Sequence, residues 1–284
     1  MGNQTALPFV LGMIEYSNTG ISLFKFANLN GEENVVHFVT TRKGGVSESP
    51  YASLNLGYHN KDSALHVAKN REILSSNGGV SISSLTLGQQ VHSGNVHVVG
   101  CNDIGRGSMS FESEIRNTDA MVTNVPNACL MVLVADCAPV LFFDAKQMVI
   151  AIAHSGRKGV INRVSENVVE TMDRQYGCKR SDINVGIGPT ICRKHYPITQ
   201  EAETELRGAI APNSTSIEMA NGQTFFDLTG AIKEQLVSCG VKEGHIETAG
   251  ICTYERSDIF FSERRDGPPT GRFGAVIMLR FGSK

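Results

Sequence analysis

The chain has 284 residues, of which 41% are hydrophobic and 19% are charged, and its formal net charge is −2. A chain of this length can bury a core without cross-links. The near-neutral charge argues against a nucleic-acid partner, and no apolar run approaches the roughly 18 residues of a membrane span.

The cysteines and the first residues both favour a reducing compartment. Seven cysteines are scattered without C-x-x-C pairs, which is a poor disulfide framework. The opening MGNQTALPFVLGMIEY lacks the basic leader and long apolar stretch of a secretory signal. We therefore expect a cytoplasmic protein without a membrane partner.

Short apolar runs alternate with amphipathic stretches along the whole chain, and this pattern predicts its elements in order. Helices are expected at 62–75 (with Asp62 as N-cap), 159–176, 199–209 and 225–239. Strands are expected at 21–26, 35–40, within 80–100, at 129–136, 139–143, 148–153 and 183–188, and in ETAGICTY and RFGAVIMLRF. Residues 40–57 and 101–118 read as loops. The mixed order with hairpins predicts an α+β fold, in one domain spanning 1–284.

Three metal-competent side chains stand where apolar stretches meet turns: His92 in QQVHSGN, Cys137 in VADC and His154 in IAHSG. Two imidazoles and a thiolate form the three-ligand set of a catalytic zinc site that keeps a fourth position for water. Their wide spacing leaves the alternative open that they are a buried cysteine and satisfied core histidines.

Basic residues beside glycines suggest an anion site. Arg157 and Lys158 in HSGRKG precede a predicted helix, and free N–H groups at a helix start attract phosphate or carboxylate. Arg42 in TTRKGGVS and Arg264 in FFSERRDGPPTGR could close over a polar ligand. Arg264 and the adjacent Arg265 point to opposite sides of an extended chain, so at most one is expected to reach a site. Solvated charges and structural ion pairs are the alternative.

Several of these segments resemble the YfiH-like family of laccase-domain proteins, also described as purine nucleoside enzymes. They are QQVHS, DAMVTNVPNACLMVLVADCAPVLFFD, VIAIAHSGRKG, GIGPTIC and CTYERSDIFFSERRDGPPTGR. The resemblance implies a four-layer α-β-β-α domain, similar to the catalytic domain of cytotoxic necrotizing factor. It also implies that His92, Cys137 and His154 are the metal ligands. This chain departs from the family pattern at Arg157 (Trp) and Lys158 (Arg), and it has His195 where many members have Cys.

The resemblance implies a zinc-dependent enzyme, with copper as a second candidate metal, that acts on purine nucleosides and phosphate. The implied activities are phosphorolysis of adenosine, inosine, guanosine and methylthioadenosine, with accompanying adenosine deamination. His92, Cys137 and His154 would be catalytic. The phosphate and substrate would be bound by Arg42, Arg157, Lys158 and Arg264.

Two nearby carboxylates receive lesser roles. Strand alternation points Asp136 away from its neighbour Cys137, which favours a supporting role. The sequence assigns no role to Asp119, although it matches a family position.

Three other functions remain open. A metal-free hydrolase could use Cys137 as nucleophile and a histidine as base on an amide, for example in editing cell-wall precursors. A copper-dependent polyphenol oxidase of the multicopper type needs about ten histidines, commonly in His-x-His pairs, whereas this chain has 8 and no such pair. The altered GRKG turn would also suit a nucleoside-binding protein without catalysis.

Overall fold

The computed structural model describes residues 13–18, 20–30 and 34–280. The strands in chain order are β1 (Met13–Asn18), β2 (Ile21–Phe26), β3 (Val35–Thr40), β4 (Leu85–Leu87), β5 (Val96–Val98), β6 (Ala120–Thr123), β7 (Cys129–Val134), β8 (Ala138–Asp144), β9 (Val149–Ser155), β10 (Asn184–Ile187), β11 (Pro197–Ile198), β12 (Ile217–Ala220), β13 (Gln223–Phe226), β14 (Ile246–Thr248) and β15 (Phe273–Leu279). The helices are α1 (Ala64–Gly78), α2 (Arg157–Ile161), α3 (Val164–Tyr176), α4 (Gln200–Arg207), α5 (Leu228–Ser238) and α6 (Glu263–Asp266). None of the helices in the described ranges is long and apolar enough to cross a membrane.

The strands form two six-stranded mixed sheets and one small three-stranded sheet. The first sheet has the order β1-β2-β3-β15-β7-β4, and the second has the order β14-β10-β8-β9-β6-β5. Most neighbours are antiparallel, while β4 with β7, β5 with β6 and β10 with β14 are parallel. The chain passes directly from the first sheet to the second between β7 and β8, at residues 135–137.

The two large sheets pack face to face. Alternate residues of β7, such as Leu130 and Val132, point into a buried core that they share with Leu141 and Ile152 of the second sheet. Because successive side chains of a strand point to opposite faces, the intervening residues of β7 face outward. The core between the sheets is therefore built from one set of alternating positions on each sheet.

Helices cover both outer faces. Met131 of β7 packs outward with Leu74 of α1. On the other side, Val140 of β8 packs with Val168 of α3 and Ile232 of α5. The resulting order of layers is helix, sheet, sheet and helices, which confirms the predicted mixed fold with an α-β-β-α arrangement.

Most predicted elements are confirmed within a few residues, and the exceptions are as follows. The expected helix 159–176 is two helices, broken at residues 162–163, where Arg163 has φ 55°. Ser63, not Asp62, is the N-cap of α1, since the Asp62 carboxylate accepts hydrogen bonds from Ser47 and Asn55 instead. ETAGICTY forms a strand only at its start, in β14. The short elements β1, β6, β11, β12, β13 and α6 were not predicted.

Candidate active site and metal centre

The three predicted ligands, which are far apart in sequence, lie together in the structure. One donor atom of each of His92, Cys137 and His154 lies within 4.8 Å of the others. The Nε2 of His92 is 3.9 Å from the Sγ of Cys137. The two imidazole rings meet edge to face, with centroids 4.7 Å apart. We call this group the His-Cys-His triad.

The triad sits where the chain crosses from one large sheet to the other. Cys137 lies in the crossing between β7 and β8, and His154 is near the end of β9, paired with Pro139 of β8. His92 lies in the loop between β4 and β5, with a left-handed backbone of φ 61°. A positive φ is uncommon for residues other than glycine, but histidine is among those that adopt it more often.

Asp119 organises two of the three triad residues. Its carboxylate lies 2.9 Å from Nδ1 of His154. It also accepts the backbone N–H groups of Val91 (3.2 Å), His92 (3.0 Å) and Ser93 (2.7 Å). Burial alone would raise the pKa of Asp119, but hydrogen bonds from His154 and Ser93 lower it to about 2. An ionised carboxylate only accepts, so Nδ1 of His154 carries the proton and Nε2 is free to bind a metal.

Electrostatics favour a thiolate at Cys137. Burial would raise the pKa of its thiol, but the neighbouring His154 and His92 lower that pKa. Conversely, burial would lower the pKa of His154, while Cys137 and Asp119 raise it. In the absence of a metal, the pair is therefore biased toward thiolate and imidazolium.

The donor set fits a zinc ion. Tetrahedral zinc with bonds of about 2.3 Å to sulfur and about 2.0–2.1 Å to nitrogen separates these donors by about 3.6 Å, close to the 3.9 Å between His92 and Cys137. A copper ion also accepts two imidazoles and a thiolate. Gly156 leaves space for this arrangement, since a Cβ at that position would lie 2.5 Å from the Sγ of Cys137.

The triad lines a cavity of about 620 Å³. This volume is within the range of roughly 300–1,000 Å³ that is usual for small-molecule sites. The cavity wall combines the triad with cationic, acidic and aromatic side chains. They include His59, Phe111, Glu114, Asp136, Tyr196, Glu263, Arg264 and Arg272.

Of the four predicted phosphate or substrate ligands, Arg264 lines the cavity. Its guanidinium lies 5.1 Å from the ring centroid of Tyr196 and donates to the carbonyl of Pro197. Arg265 instead donates to the carbonyls of Thr253, Tyr254 and Phe260. Of the two adjacent arginines, Arg264 therefore lines the cavity and Arg265 does not.

Arg42, Arg157 and Lys158 are not among the lining residues. Arg42 donates to the carbonyl of Ala52, and Arg157 forms an ion pair of 2.6 Å with Glu205. The helix start that was expected to hold an anion is that of α2, which begins at Arg157 and has only five residues. The structure thus places Arg264 on the wall of the triad cavity and leaves the other three cations outside it.

Asp136 supports the cavity wall, although alternation along a strand does not explain its orientation. It lies between β7 and β8 with φ 93°, outside both strands. Its carboxylate accepts the hydroxyl groups of Thr253 (2.5 Å) and Ser262 (3.0 Å) and the backbone N–H of Arg264 (2.7 Å). These bonds fix the loop that carries Arg264.

Sequence reasoning missed several titratable groups of the cavity, among them Glu114, His59 and Arg272. Burial raises the pKa of Glu114 to about 8, against an opposing effect of Arg71. Burial and the nearby charge of Arg272 lower the pKa of His59 to about 4. Arg272 itself pairs with Glu263 at 2.7 Å. Glu114 lies in the segment 101–118, which reads as loop, and His59 lies between the predicted loop 40–57 and the predicted helix 62–75. Arg272 ends the GPPTGR stretch and could have been found there.

The comparisons with known proteins concern nearly the whole chain. Residues 36–280 match the family described as multi-copper polyphenol oxidoreductase laccase. A purine nucleoside phosphorylase of Bacteroides thetaiotaomicron is 32% identical over 256 residues, which are 89% of this chain and 95% of that protein. The purine nucleoside phosphorylase YlmD of Bacillus subtilis is 30% identical over 254 residues, which are 89% and 91% of the two chains.

Two solved structures share the fold. The hypothetical protein YfiH of Bacillus licheniformis superposes with a TM-score of 0.87 at 29% identity, covering 91% of this chain and 96% of that one. YlmD of Geobacillus stearothermophilus superposes with a TM-score of 0.87 at 27% identity, covering 98% and 100%.

Proposed function

The chain belongs to the family described as multi-copper polyphenol oxidoreductase laccase, and from that membership and its named relatives we propose that it is a purine nucleoside phosphorylase. The observation that carries the proposal is the His-Cys-His triad on the wall of a cavity of about 620 Å³ that also holds Arg264 and Arg272. Such a cavity offers a cationic side for phosphate and aromatic walls for a base.

The proposed substrates are phosphate and adenosine, inosine, guanosine or methylthioadenosine. In the reaction a phosphate oxygen forms a bond to the anomeric carbon of the ribose, and the bond from that carbon to the purine nitrogen breaks. The electron pair leaves with the base, which takes up a proton. We assign phosphate binding to Arg264 and Arg272, because cationic side chains in a partly enclosed cavity stabilise bound anions.

The leaving base needs a proton donor, and Glu114 suits that role. Burial raises the pKa of Glu114 to about 8, so its carboxyl group is protonated at neutral pH. A carboxylic acid with such a pKa gives up its proton readily near the working pH. Tyr196 and Phe111, which also line the cavity, supply apolar ring surface against which a purine can pack.

His92, Cys137 and His154 are the proposed ligands of a zinc ion, with copper as the second candidate. A bound zinc ion supplies Lewis-acid polarisation of an oxygen or nitrogen atom. Asp119 holds the ring of His154 in the tautomer that binds metal. We also propose deamination of adenosine in the same cavity, in which water replaces the amino group of the base and ammonia leaves; the family resemblance supports this second activity.

The test pairs elemental analysis with an assay for inosine and phosphate. We expect zinc in the purified protein and release of ribose 1-phosphate and hypoxanthine. Cys137→Ala should lose one zinc per chain together with phosphorolysis. Cys101→Ala, at an exposed cysteine outside the cavity, is the matched control and should keep both. Retained phosphorolysis in Cys137→Ala would refute the assignment.

A metal-free cysteine hydrolase is the second candidate. The lowered pKa of Cys137 and its distance of 3.9 Å from His92 suit a thiolate nucleophile with a neighbouring base. If this candidate is right, the protein should still cleave an amide, such as one in a cell-wall precursor, after treatment with a chelator. Alkylation of its thiols should abolish that activity. A protein that keeps its metal and binds nucleosides without turnover would instead be a binding protein.

Multicopper oxidase chemistry has less support. The 8 histidines of the chain are fewer than the about ten that such enzymes use. In the described ranges, the His-Cys-His triad is the one metal-competent group of three that includes histidine. We also propose a cytoplasmic location, which the seven unpaired cysteines support.

A further inference from the structure

A second group of metal-competent side chains lies outside the triad. The donor atoms of Cys192, Cys252 and Glu255 all lie within 4.8 Å of one another. The three residues line a separate cavity of about 480 Å³. We propose that this group, here called the Cys-Cys-Glu group, is a second binding site for a thiolate-preferring divalent metal ion such as zinc.

The donor types and spacing suit zinc. Zinc binds cysteine sulfur at about 2.3 Å and carboxylate oxygen at about 2.0–2.2 Å, so tetrahedral geometry places two sulfur ligands about 3.8 Å apart. The donor atoms lie within 4.8 Å of one another, so each side chain needs to move its donor atom by only about 1 Å to reach such a geometry. Two sulfur ligands disfavour magnesium and calcium, which bind oxygen.

The backbone already holds the two cysteines side by side. A parallel β-bridge joins Thr190 to Cys252, and the N–H of Cys192 donates to the Sγ of Cys252 at 3.3 Å. The two thiols therefore come from neighbouring segments whose relative position is fixed by main-chain bonds. A metal would find two of its ligands in place, at a small cost in conformational entropy.

Glu255 has a partner that orients it. The Nε2 of His195 lies 2.9 Å from its Oε1, and the His195 ring stacks on Tyr254 with centroids 4.2 Å apart. Carboxylates that bind metals are commonly held by a further hydrogen bond in this way. Lys194, whose ammonium is 3.4 Å from Glu255, competes for the carboxylate but is exposed and can move away.

The position of the Cys-Cys-Glu group suggests what the metal does. Ile191 and Tyr196 line the cavity of the triad, while Cys192 between them lines the second cavity. On the other segment, Thr253 donates its hydroxyl to Asp136, which fixes the loop of Arg264. A metal at the Cys-Cys-Glu group would tie together two segments that support the walls of the triad cavity.

The experiment counts metal ions in the full chain. Reduced protein is stripped with a chelator, loaded with excess zinc, desalted and analysed for zinc. We expect two zinc ions per chain in the unmodified protein, one in Cys252→Ser, one in Cys137→Ala and none in the double variant. Cys101→Ser, at an exposed cysteine outside both cavities, should keep two.

A second readout identifies the ligands. With Co²⁺ in place of zinc, Cys137→Ala should still show the near-ultraviolet absorption of a cobalt–thiolate bond, and the added substitution Cys252→Ser should remove it. If Cys252→Ser does not fold, Glu255→Gln and Cys192→Ser replace it in the metal count, and each of them should also lose one zinc ion. One zinc in the unmodified protein, or no cobalt–thiolate band in Cys137→Ala, would overturn the proposal.

The same samples separate this proposal from the proposed function. Two zinc ions without phosphorolysis would uphold the Cys-Cys-Glu group and refute the enzyme assignment. One zinc ion with phosphorolysis would uphold the enzyme assignment and refute the Cys-Cys-Glu group as a metal site.

Discussion

Asp119 shows how one residue can set the chemistry of its neighbours. A single buried carboxylate accepts a hydrogen bond from the His154 ring and from the backbone on both sides of His92. It therefore fixes the ring of one triad histidine and the main chain of the other. Residues that hold metal ligands in this way typically contribute a factor of about 10–100 to metal affinity.

We expect Asp119→Asn to weaken zinc binding at the triad by about 10-fold to 100-fold, measured by competition with a chromophoric chelator. Asp103→Asn is the matched control. Asp103 also pairs with a histidine, His97 (3.1 Å), and accepts a backbone N–H from Gly100 (3.0 Å), but it does not line the cavity. Equal zinc affinity in the two variants would contradict the role of Asp119.

Glu114 makes stability depend on pH. Burial raises its pKa from 4.5 to about 8 in the folded protein, so the folded chain keeps a proton that the unfolded chain releases. Stability from this group is therefore present below about pH 4.5 and is lost as the pH rises to about 8. Glu114→Gln should remove the loss and stabilise the protein at pH 9 by as much as about 5 kcal/mol relative to the unmodified chain.

The measurement is urea unfolding at pH 6.5, 7.5 and 9. The difference between Glu114→Gln and the unmodified protein isolates this group, since His154, whose pKa is raised, contributes equally to both. Glu48→Gln, at an exposed residue that does not contribute to the raised pKa of Glu114, should keep the pH dependence of the unmodified protein. If Glu114 is also the proton donor, Glu114→Gln should lower kcat by about 100-fold, whereas a constant kcat would leave it a structural residue only.

The triad could be predicted from the sequence, while most of the cavity could not. His92, Cys137 and His154 stand at the ends of apolar runs and in segments with a family resemblance. Glu114 has no such signal, because its raised pKa comes from burial against residues far along the chain. Arg157 had the expected charge beside glycines, but its partner Glu205 belongs to α4 and cannot be inferred from local sequence.

At the scale of elements, continuous apolar runs predicted the central strands, because both faces of those strands are buried. Reasoning from local apolar patterns also merged α2 and α3 into one helix. The break has no Gly or Pro of its own. It is held by distant contacts, since Asn162 donates to the carbonyl of His92 and Asn167 to that of Gly94. Tertiary bonds to the loop of His92 therefore end α2, and no local pattern reports them.

The turn between β9 and α2 must pass close to the triad. A Cβ at Gly156 would lie 2.5 Å from the Sγ of Cys137, far inside contact distance, so Gly156→Ala should displace the thiol or the turn. We expect this variant to lose zinc from the triad and at least 100-fold in kcat/KM for inosine, measured with phosphate in excess. Gly244→Ala, where the added Cβ meets nothing within 4 Å, should behave like the unmodified protein.

Across the whole molecule, the triad joins parts of the fold that the sequence does not connect locally. His92 lies in the loop between β4 of the first sheet and β5 of the second sheet. Cys137 lies in the crossing between the sheets, and His154 belongs to β9 of the second sheet. The alternation of apolar runs with amphipathic stretches predicted a mixed fold with buried strands. It could not predict which sheet each strand joins, because strand order depends on long-range pairing such as that of β15 between β3 and β7.

A metal that bridges the two sheets should stabilise them against unfolding as one unit. Binding to the folded chain alone contributes about 2.7 kcal/mol when free zinc is 100 times the dissociation constant. For a chain of this size, that energy corresponds to a rise in Tm of roughly 5 °C or more. We choose Cys252→Ser as the background, because it removes a ligand of the Cys-Cys-Glu group and leaves the triad as the zinc site under test.

In this background, zinc added to chelator-treated protein should raise Tm by that amount in calorimetry, and Mg²⁺, which prefers oxygen ligands, should not. Adding Cys137→Ala should abolish the rise, because two imidazoles alone hold zinc weakly. An equal rise in the single and double variants would mean that zinc stabilises the protein from another site. The two sheets would then be held together by their shared apolar core without help from the triad.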